Sequence, residues 1–391
     1  FWWVSFRNPD LTFCQSARDY QKGFAELRGG IGRQYQLGLR HTSPVAVQYS
    51  MNSMRTAWAT NRFEAYTAAV QQNVDALVAV GLDPVFISDE QIAAGELEKR
   101  GLKALFLPMS LSLGKGQKPG GLGVAGALAK FAAAGGIVAA THDSEFDEFM
   151  QKAAPDAELM KKVAKFDAIK DKLAETLAAA GVHPWASVRR PDGALVPGLS
   201  IAVHKLTGNV PAYLVTLLRK PIGQKEVIGA DGVLTYQPDP NAGQESEDCR
   251  VNLAALGSFC VNALRTGERL EPKDGRFELK MPSGDAYPLA LLPYRVKELK
   301  LDAKVEDRAL KLAWNLEREG AGPFAAHVVR VDVAGPDGRP DAALSRNFTC
   351  DAEGKGTLAI PLAAEDASRE LKITVRDVLT GVKAEAAVKA P

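Results

Sequence analysis

Val45-Ala46-Val47-Gln48-Tyr49 is a short apolar run directly after Pro44, and the segments that follow it decide the fold. From Asn61 to Val80, the residues Phe63, Tyr66, Val70, Val74, Leu77 and Val78 recur three and four apart, the period of an amphipathic helix. Pro84-Val85-Phe86-Ile87 is a second apolar run. Ser88-Asp89-Glu90-Gln91 after it has the form of a capping box, with Ser88 as N-cap and Gln91 reaching back. Ala104-Leu105-Phe106-Leu107-Pro108 is a third run. A helical stretch from Val124 to Ala134 leads into a fourth, Gly136-Ile137-Val138-Ala139-Ala140. Strands that are apolar throughout and alternate with helices imply a parallel sheet covered on both faces.

Outward from this unit the pattern changes. Toward the start, Phe1-Trp2-Trp3-Val4-Ser5-Phe6 reads as an interior strand, because a Trp-rich apolar hexamer is not left loose in water. It has no Met, basic region or small-residue cleavage site, so it is not read as a signal peptide; the chain is expected to be processed, a fragment, or begun at an internal point. A polar helix around Ser16 to Leu27 and the glycines 29, 30 and 32 follow it. Toward the end, Asp156 to Ala180 reads as one long helix, with Leu159, Val163, Phe166, Ile169, Leu173 and Leu177 in a stripe and Gly181 as its stop. Beyond His183 the segments Ser200–His204, Ala212–Arg219, Gly275–Met281 and Tyr287–Val296 read as strands, separated by turns at Asp192, Asp231 and Asp274. From Lys300 the spacing tightens, with strands over Leu310–Leu316, Ala325–Val333, Gly356–Ile360 and Glu370–Val375, as in a small sandwich. The expected architecture is multidomain, α/β plus all-β: a flavodoxin-like, doubly wound domain followed by β-modules, the last immunoglobulin-like. The expected segments are 1–40 (connector), 41–150 (α/β domain), 151–182 (linking helix), 183–298 (β-rich domain) and 299–391 (sandwich).

Composition narrows the function. Apolar residues make up 46% and charged residues 24% of 391, and 48 basic against 47 acidic residues leave a formal charge of +1. No basic stripe points to nucleic acid and no polybasic block to an anionic membrane. The longest apolar stretch, Ala125 to Ala140, is broken by Lys130, Gly135 and Gly136, too soon to cross a bilayer. Cys14, Cys249, Cys260 and Cys350 are scattered with no C-x-x-C, so neither a zinc site nor another metal or cofactor is expected. A Cys249–Cys260 disulfide is one reading; buried free thiols are the preferred one. Compartment stays undetermined.

Four stretches carry a family resemblance: Phe1-Trp2-Trp3; Val45-Ala46-Val47-Gln48-Tyr49-Ser50 with Trp58; Lys103-Ala104-Leu105-Phe106-Leu107-Pro108; and Phe131-Ala132-Ala133-Ala134-Gly135-Gly136-Ile137-Val138-Ala139. In this order and spacing they resemble the family 42 β-galactosidases, over a little more than a third of the chain. In that family a (β/α)8 barrel precedes a trimerisation domain with a class I glutamine-amidotransferase-like fold. The resemblance implies that residues 1–40 hold the end of a barrel, with Trp2 or Trp3 stacking on sugar at its rim; packing in a core is the competing reading. It implies a carbohydrate ligand, a homotrimer, and a barrel-bearing N-terminal part carrying the two glutamates of a retaining mechanism, so that no catalytic residue falls in this chain. It also implies a silent amidotransferase-like domain. Where that fold places a cysteine nucleophile on a strained turn, this chain has Met109-Ser110-Leu111, and no cysteine lies between Cys14 and Cys249. The function expected is the accessory and oligomerisation portion of a glycoside hydrolase; the alternative is a non-catalytic structural or carbohydrate-binding protein.

The carboxyl edge of the parallel sheet is where open α/β sheets bind ligands. Asn52 and Arg55 follow its first strand and His142 and Asp143 its fourth, so these four are candidates for a crevice that holds a sugar or a neighbouring subunit. A solvated or interface loop is the competing reading. Gly114–Gly123 reads as a surface loop, and Glu245-Ser246-Glu247-Asp248 as a solvated acidic loop rather than a calcium site. Trp314 alternates with leucines and reads as core, while Trp185 lies in a loop.

Overall fold

The computed structural model describes residues 12, 15–113, 123–154, 157–220, 224–228, 234–238, 246–336, 338–366 and 369–389. Five parallel strands, Val45–Tyr49, Val85–Ser88, Ala104–Leu107, Ile137–Ala140 and Val163–Lys165, form one sheet in the order second, first, third, fourth, fifth. Successive residues point to opposite faces, and both faces are buried, which is why the strands are apolar throughout. Ala46, Leu105, Leu107 and Val138 meet Leu128 and Phe131 of the helix Val124–Ala133 on one face. Val45, Val47, Phe106 and Ala139 meet Leu77 of the helix Phe63–Ala79 on the other. The capping box forms as read: Ser88 Oγ accepts from Gln91 N and Gln91 Oε1 accepts from Ser88 N.

The long helix expected over 156–180 does not form. Its described part consists of the short helix Ala157–Met160, the strand Val163–Lys165, and the short helical pieces Phe166–Ile169, Lys170–Lys172 and Leu173–Ala179. The stripe is buried all the same, but on two sides. Leu159 and Val163 join the core of one sheet face, whereas Phe166, Leu173 and Leu177 join the core of the other. A straight helix cannot cover both faces, so the chain becomes a strand at the sheet edge and crosses there.

The β-rich half is built on a six-stranded antiparallel sheet, in the order Gly38–Arg40, Leu199–Leu206, Tyr213–Arg219, Ala286–Leu292, Cys260–Ala263, Arg269–Leu270. Its first strand precedes the α/β unit in sequence, so residues 38–40 are woven into the β-rich half. One face packs on a three-stranded sheet of Arg276–Pro282, Ser246–Asn252 and Ser187–Arg189, with Val215, Leu217, Val251, Leu289 and Leu291 between them. Ser246–Asn252 is therefore a strand, not the acidic loop expected there. Glu247 is buried because Arg190 meets it with two hydrogen bonds at 2.6 and 3.0 Å and Arg219 lies 3.7 Å away. Cys249 and Cys260 are free thiols.

The last module has two sheets, one of Val296–Glu306, Ala309–Arg318 and Lys355–Pro361, the other of Arg346–Thr349, Val328–Ala334, Glu370–Asp377 and Lys383–Lys389. Trp314 lies in its core, as its alternation with leucine implies, and donates its indole N–H to Cys350 Sγ. That core continues into Leu214, Ala290 and Leu292 of the six-stranded sheet. His327 and Asp377 are wholly buried in it: Tyr294 Oη and His327 Nε2 are 2.9 Å apart, His327 Nδ1 and Asp377 Oδ1 2.8 Å, and Thr380 donates to Asp377 Oδ2 through both its hydroxyl and its amide. Residues 27–31 dock on the same module. Gly30 has φ of 114°, and a Cβ there would lie 2.4 Å from Val378, so only glycine allows this approach. Nearby, the buried Gln34 side chain donates to the carbonyl of Ala326 and accepts from the amide of Val328.

Candidate functional site

The carboxyl edge of the parallel sheet carries a connected polar cluster. Ser50 caps the helix Met51–Ala59 by accepting from Ser53 N, so residues 51–55 are helical rather than a loop. The Ser50 hydroxyl donates to Asp89 Oδ2 at 2.6 Å and Gln48 Nε2 donates to Asp89 Oδ1 at 2.7 Å. Ser110 donates to Gln48 Oε1, and Tyr66 donates to the Ser50 carbonyl at 3.2 Å. Asp89 is 5% exposed. Burial pushes its carboxyl above the usual aspartate range, against the opposing pull of the hydrogen bonds from Ser50 and Gln48. Burial likewise raises the Tyr66 phenol to about 12.

Immediately after the third strand, Met109 stands at φ of 43°, a left-handed conformation that is uncommon for a non-glycine residue. Its amide donates to Thr141 Oγ1 at 2.7 Å, and Thr141 Oγ1 lies 3.1 Å from His142 Nδ1. This is a strained strand-to-loop elbow at the sheet edge, with a buried thioether at its tip. Ser110, one residue on, is also buried, and its proton goes to an amide oxygen, which cannot act as a general base. The arrangement fixes the loops of the first, second and third strands to one another.

The four crevice candidates are not gathered at one point. Asn52 reaches Asp89 by a long 3.4 Å contact, and Arg55 is exposed, with its charge felt by Glu90. His142 and Asp143 are exposed on the far side of the third strand, where Asp143 pairs with Lys165. Two strand spacings, about 10 Å, separate the two loops. Trp2 and Trp3 lie outside the described residues, as do residues 114–122 of the glycine-rich loop. Gln48 and Asp89, the centre of the cluster, were not singled out from sequence, although a glutamine inside an apolar strand is a visible signal. Trp185, whose exposure the sequence left open, is half-buried; it donates to the Thr42 carbonyl and its ring lies 4.3 Å from His41.

A second feature is a cleft of about 700 Å3 between the helix Gln15–Glu26, the end of the helix Phe63–Ala79 and the six-stranded sheet. Phe24, Leu27, Val78, Leu218 and Pro288 line it. Its charged groups are paired: Arg40 holds Asp83 with two hydrogen bonds at 2.6 and 2.7 Å, and Arg265 bridges Glu26 and Asp285 at 2.7 Å each. An apolar cleft with its charges neutralised suits shielding of apolar surface better than proton transfer.

No family model matches the sequence, and no curated protein matches it. Among solved structures the chain is similar to apo exo-carrageenase GH42 from Bacteroides ovatus, at 14% identity over 71% of this chain and 31% of that one, with a TM-score of 0.39. It is also similar to Ruminococcus gnavus beta-glucuronidase in complex with uronic isofagomine, at 12% identity over 46% of this chain and 34% of that one, with a TM-score of 0.17. The chain spans about a third of the length of each. These neighbours are glycoside hydrolases, and at such scores they describe only what this chain is similar to.

Proposed function

We propose that this chain is the accessory and oligomerisation portion of a glycoside hydrolase of β-galactosidase-like type, with the catalytic carboxylates supplied by a barrel outside it. In this reading the α/β unit is a class I glutamine-amidotransferase-like domain that has lost its chemistry and serves as a contact and bracing element. One observation carries the reading. The sheet has the 2-1-3-4-5 order of flavodoxin-like folds, and the elbow after its third strand keeps a left-handed backbone while presenting Met109 in place of a nucleophile. The three-plus-four strand arrangement of the last module supports the immunoglobulin-like reading in the same way.

The test is to determine the authentic N-terminus of the native protein by intact mass and N-terminal sequencing, and to read the coding region upstream of Phe1. The expected result is a (β/α)8 barrel with glutamates at the ends of its fourth and seventh strands, and aryl-galactosidase activity lost when either is changed to Gln. A native start at Phe1 with no barrel-bearing partner would overturn the proposal and favour a scaffold or glycan-binding protein.

A further inference from the structure

The outer face of the three-stranded sheet is a shallow groove of about 700 Å3, lined by residues that belong neither to the crest, the carboxyl edge of the parallel sheet around Asp89, nor to the apolar cleft. Five cationic side chains and two carboxylates line it; Arg190 is engaged by Glu247 and Arg250 by Glu278 at 3.1 Å, and Arg189, Lys273 and Arg276 supply the remaining positive charge. The strand register sets the pattern. Arg250 stands between Arg189 on one neighbouring strand and Glu278 on the other, and Asn252 stands between Ser187 and Arg276. Like charges directly opposite one another are unfavourable in a sheet. Here the two guanidiniums are held together by the adjacent turn: Arg250 donates to the Pro191 carbonyl at 2.7 Å and Arg189 to the Gly193 carbonyl at 3.1 Å.

The other end of the groove is equally fixed. Lys273 and Arg276 flank a two-residue turn in which Asp274 and Gly275 both have positive φ, and their amides and carbonyls bond reciprocally at 2.9 and 3.0 Å. Gly275 packs so closely on Ala254 that a Cβ would come within 2.9 Å of its backbone. Lys273 and Arg276 are exposed and pair with no carboxylate among the described residues.

We propose that this groove binds an anionic oligosaccharide, one carrying sulfate or carboxylate groups. The charge is complementary, Arg189 and Arg250 are held by the turn before binding, the backbone carrying Lys273 and Arg276 is fixed, and Ser187 and Asn252 between them offer partners to sugar hydroxyls. Single-stranded nucleic acid fits less well, because its bases need exposed aromatic platforms, and the only ring lining the groove among the described residues, Phe277, is half-buried and packs on the core beneath. The ligand's class rests on the carbohydrate reading above; the site itself rests on the register and charge of this sheet.

Affinity electrophoresis of the full chain in native gels tests it, with sulfated galactan, polygalacturonate, a neutral galactan or single-stranded DNA as the immobile component. Retardation by one of the two anionic glycans is expected, and which one assigns sulfate or carboxylate. The double variant Lys273→Ala/Arg276→Ala should weaken binding about tenfold or more, while Lys389→Ala on the last module leaves it unchanged. Equal retardation of the double variant, retardation by the neutral galactan alone, or retardation as strong by DNA would each overturn the site. Failure in every gel alongside an upstream barrel would remove this site and leave the hydrolase reading intact.

Discussion

At the crest of the parallel sheet, Asp89 is enclosed by Ser50, Gln48 and, through Gln48, Ser110, so that its two oxygens face donors of the same chain. The buried Asp377 is enclosed in the same manner by His327 and Thr380. On the outer face of the three-stranded sheet, by contrast, Arg189 stands beside Arg250, whose own acid is the exposed Glu278, and Lys273 and Arg276 project with no carboxylate paired to them among the described residues. The first two clusters are closed: every bond they can make strengthens the fold. The third is open, since its groups are positioned by the backbone yet keep their capacity for an external anion.

Truncation should separate the closed clusters from the open one. Asp377→Ala is expected to have the largest effect, about 3 kcal/mol in urea unfolding, because it strands a buried imidazole and the Thr380 hydroxyl and amide at once. Asp89→Ala should cost about 2 kcal/mol by leaving Ser50 and Gln48 unpaired in a buried site. A loss under about 0.5 kcal/mol in either would mean that the cluster is not closed. The crest has a further signature in pH. A carboxyl whose folded pKa lies above its unfolded value of about 3.9 holds its proton more tightly when folded, so stability declines as pH rises between the two values. Asp89→Asn should remove that decline from unfolding curves taken between pH 4 and 7; identical slopes for the two proteins would contradict the burial argument. The smallest effect belongs to Arg276→Ala, expected to stay within about 0.5 kcal/mol of the parent. If it destabilised the chain as much as Asp89→Ala does, the outer face would be a structural cluster like the others.

The contrast also marks what a sequence can disclose. The first four strands of the parallel sheet were legible because burial on both faces forces continuous apolar runs, and Ser88 and Gln91 announce their capping box by spacing alone. The stripe over 156–180 misled because residues three and four apart fit a helix equally well when they serve two different cores. Gly38–Arg40 was missed since three residues carry too little pattern to predict a partner more than 160 positions away. Glu247 looked like part of a solvated loop because its partners, Arg190 and Arg219, are distant in sequence. At the crest, Asn52 was placed near its cluster, while the central Asp89 was read only as part of a helix start. The basic groove had no local signal, because it exists only where strands near residues 188, 250 and 278 lie side by side.

Gln34 gives the molecule a temporal constraint. Its side-chain amide stands in for a peptide group, pairing with Ala326 and Val328 across 292 and 294 positions of sequence. A ribosome adding roughly 5–20 residues per second needs on the order of tens of seconds to make that distance. Throughout that interval the segment around Gln34 has been synthesised but its docking partner does not exist. The α/β unit, whose strands lie close together in sequence, can close while translation continues. The stretch preceding it must wait for the final module, so a segment made before the α/β unit is secured after it.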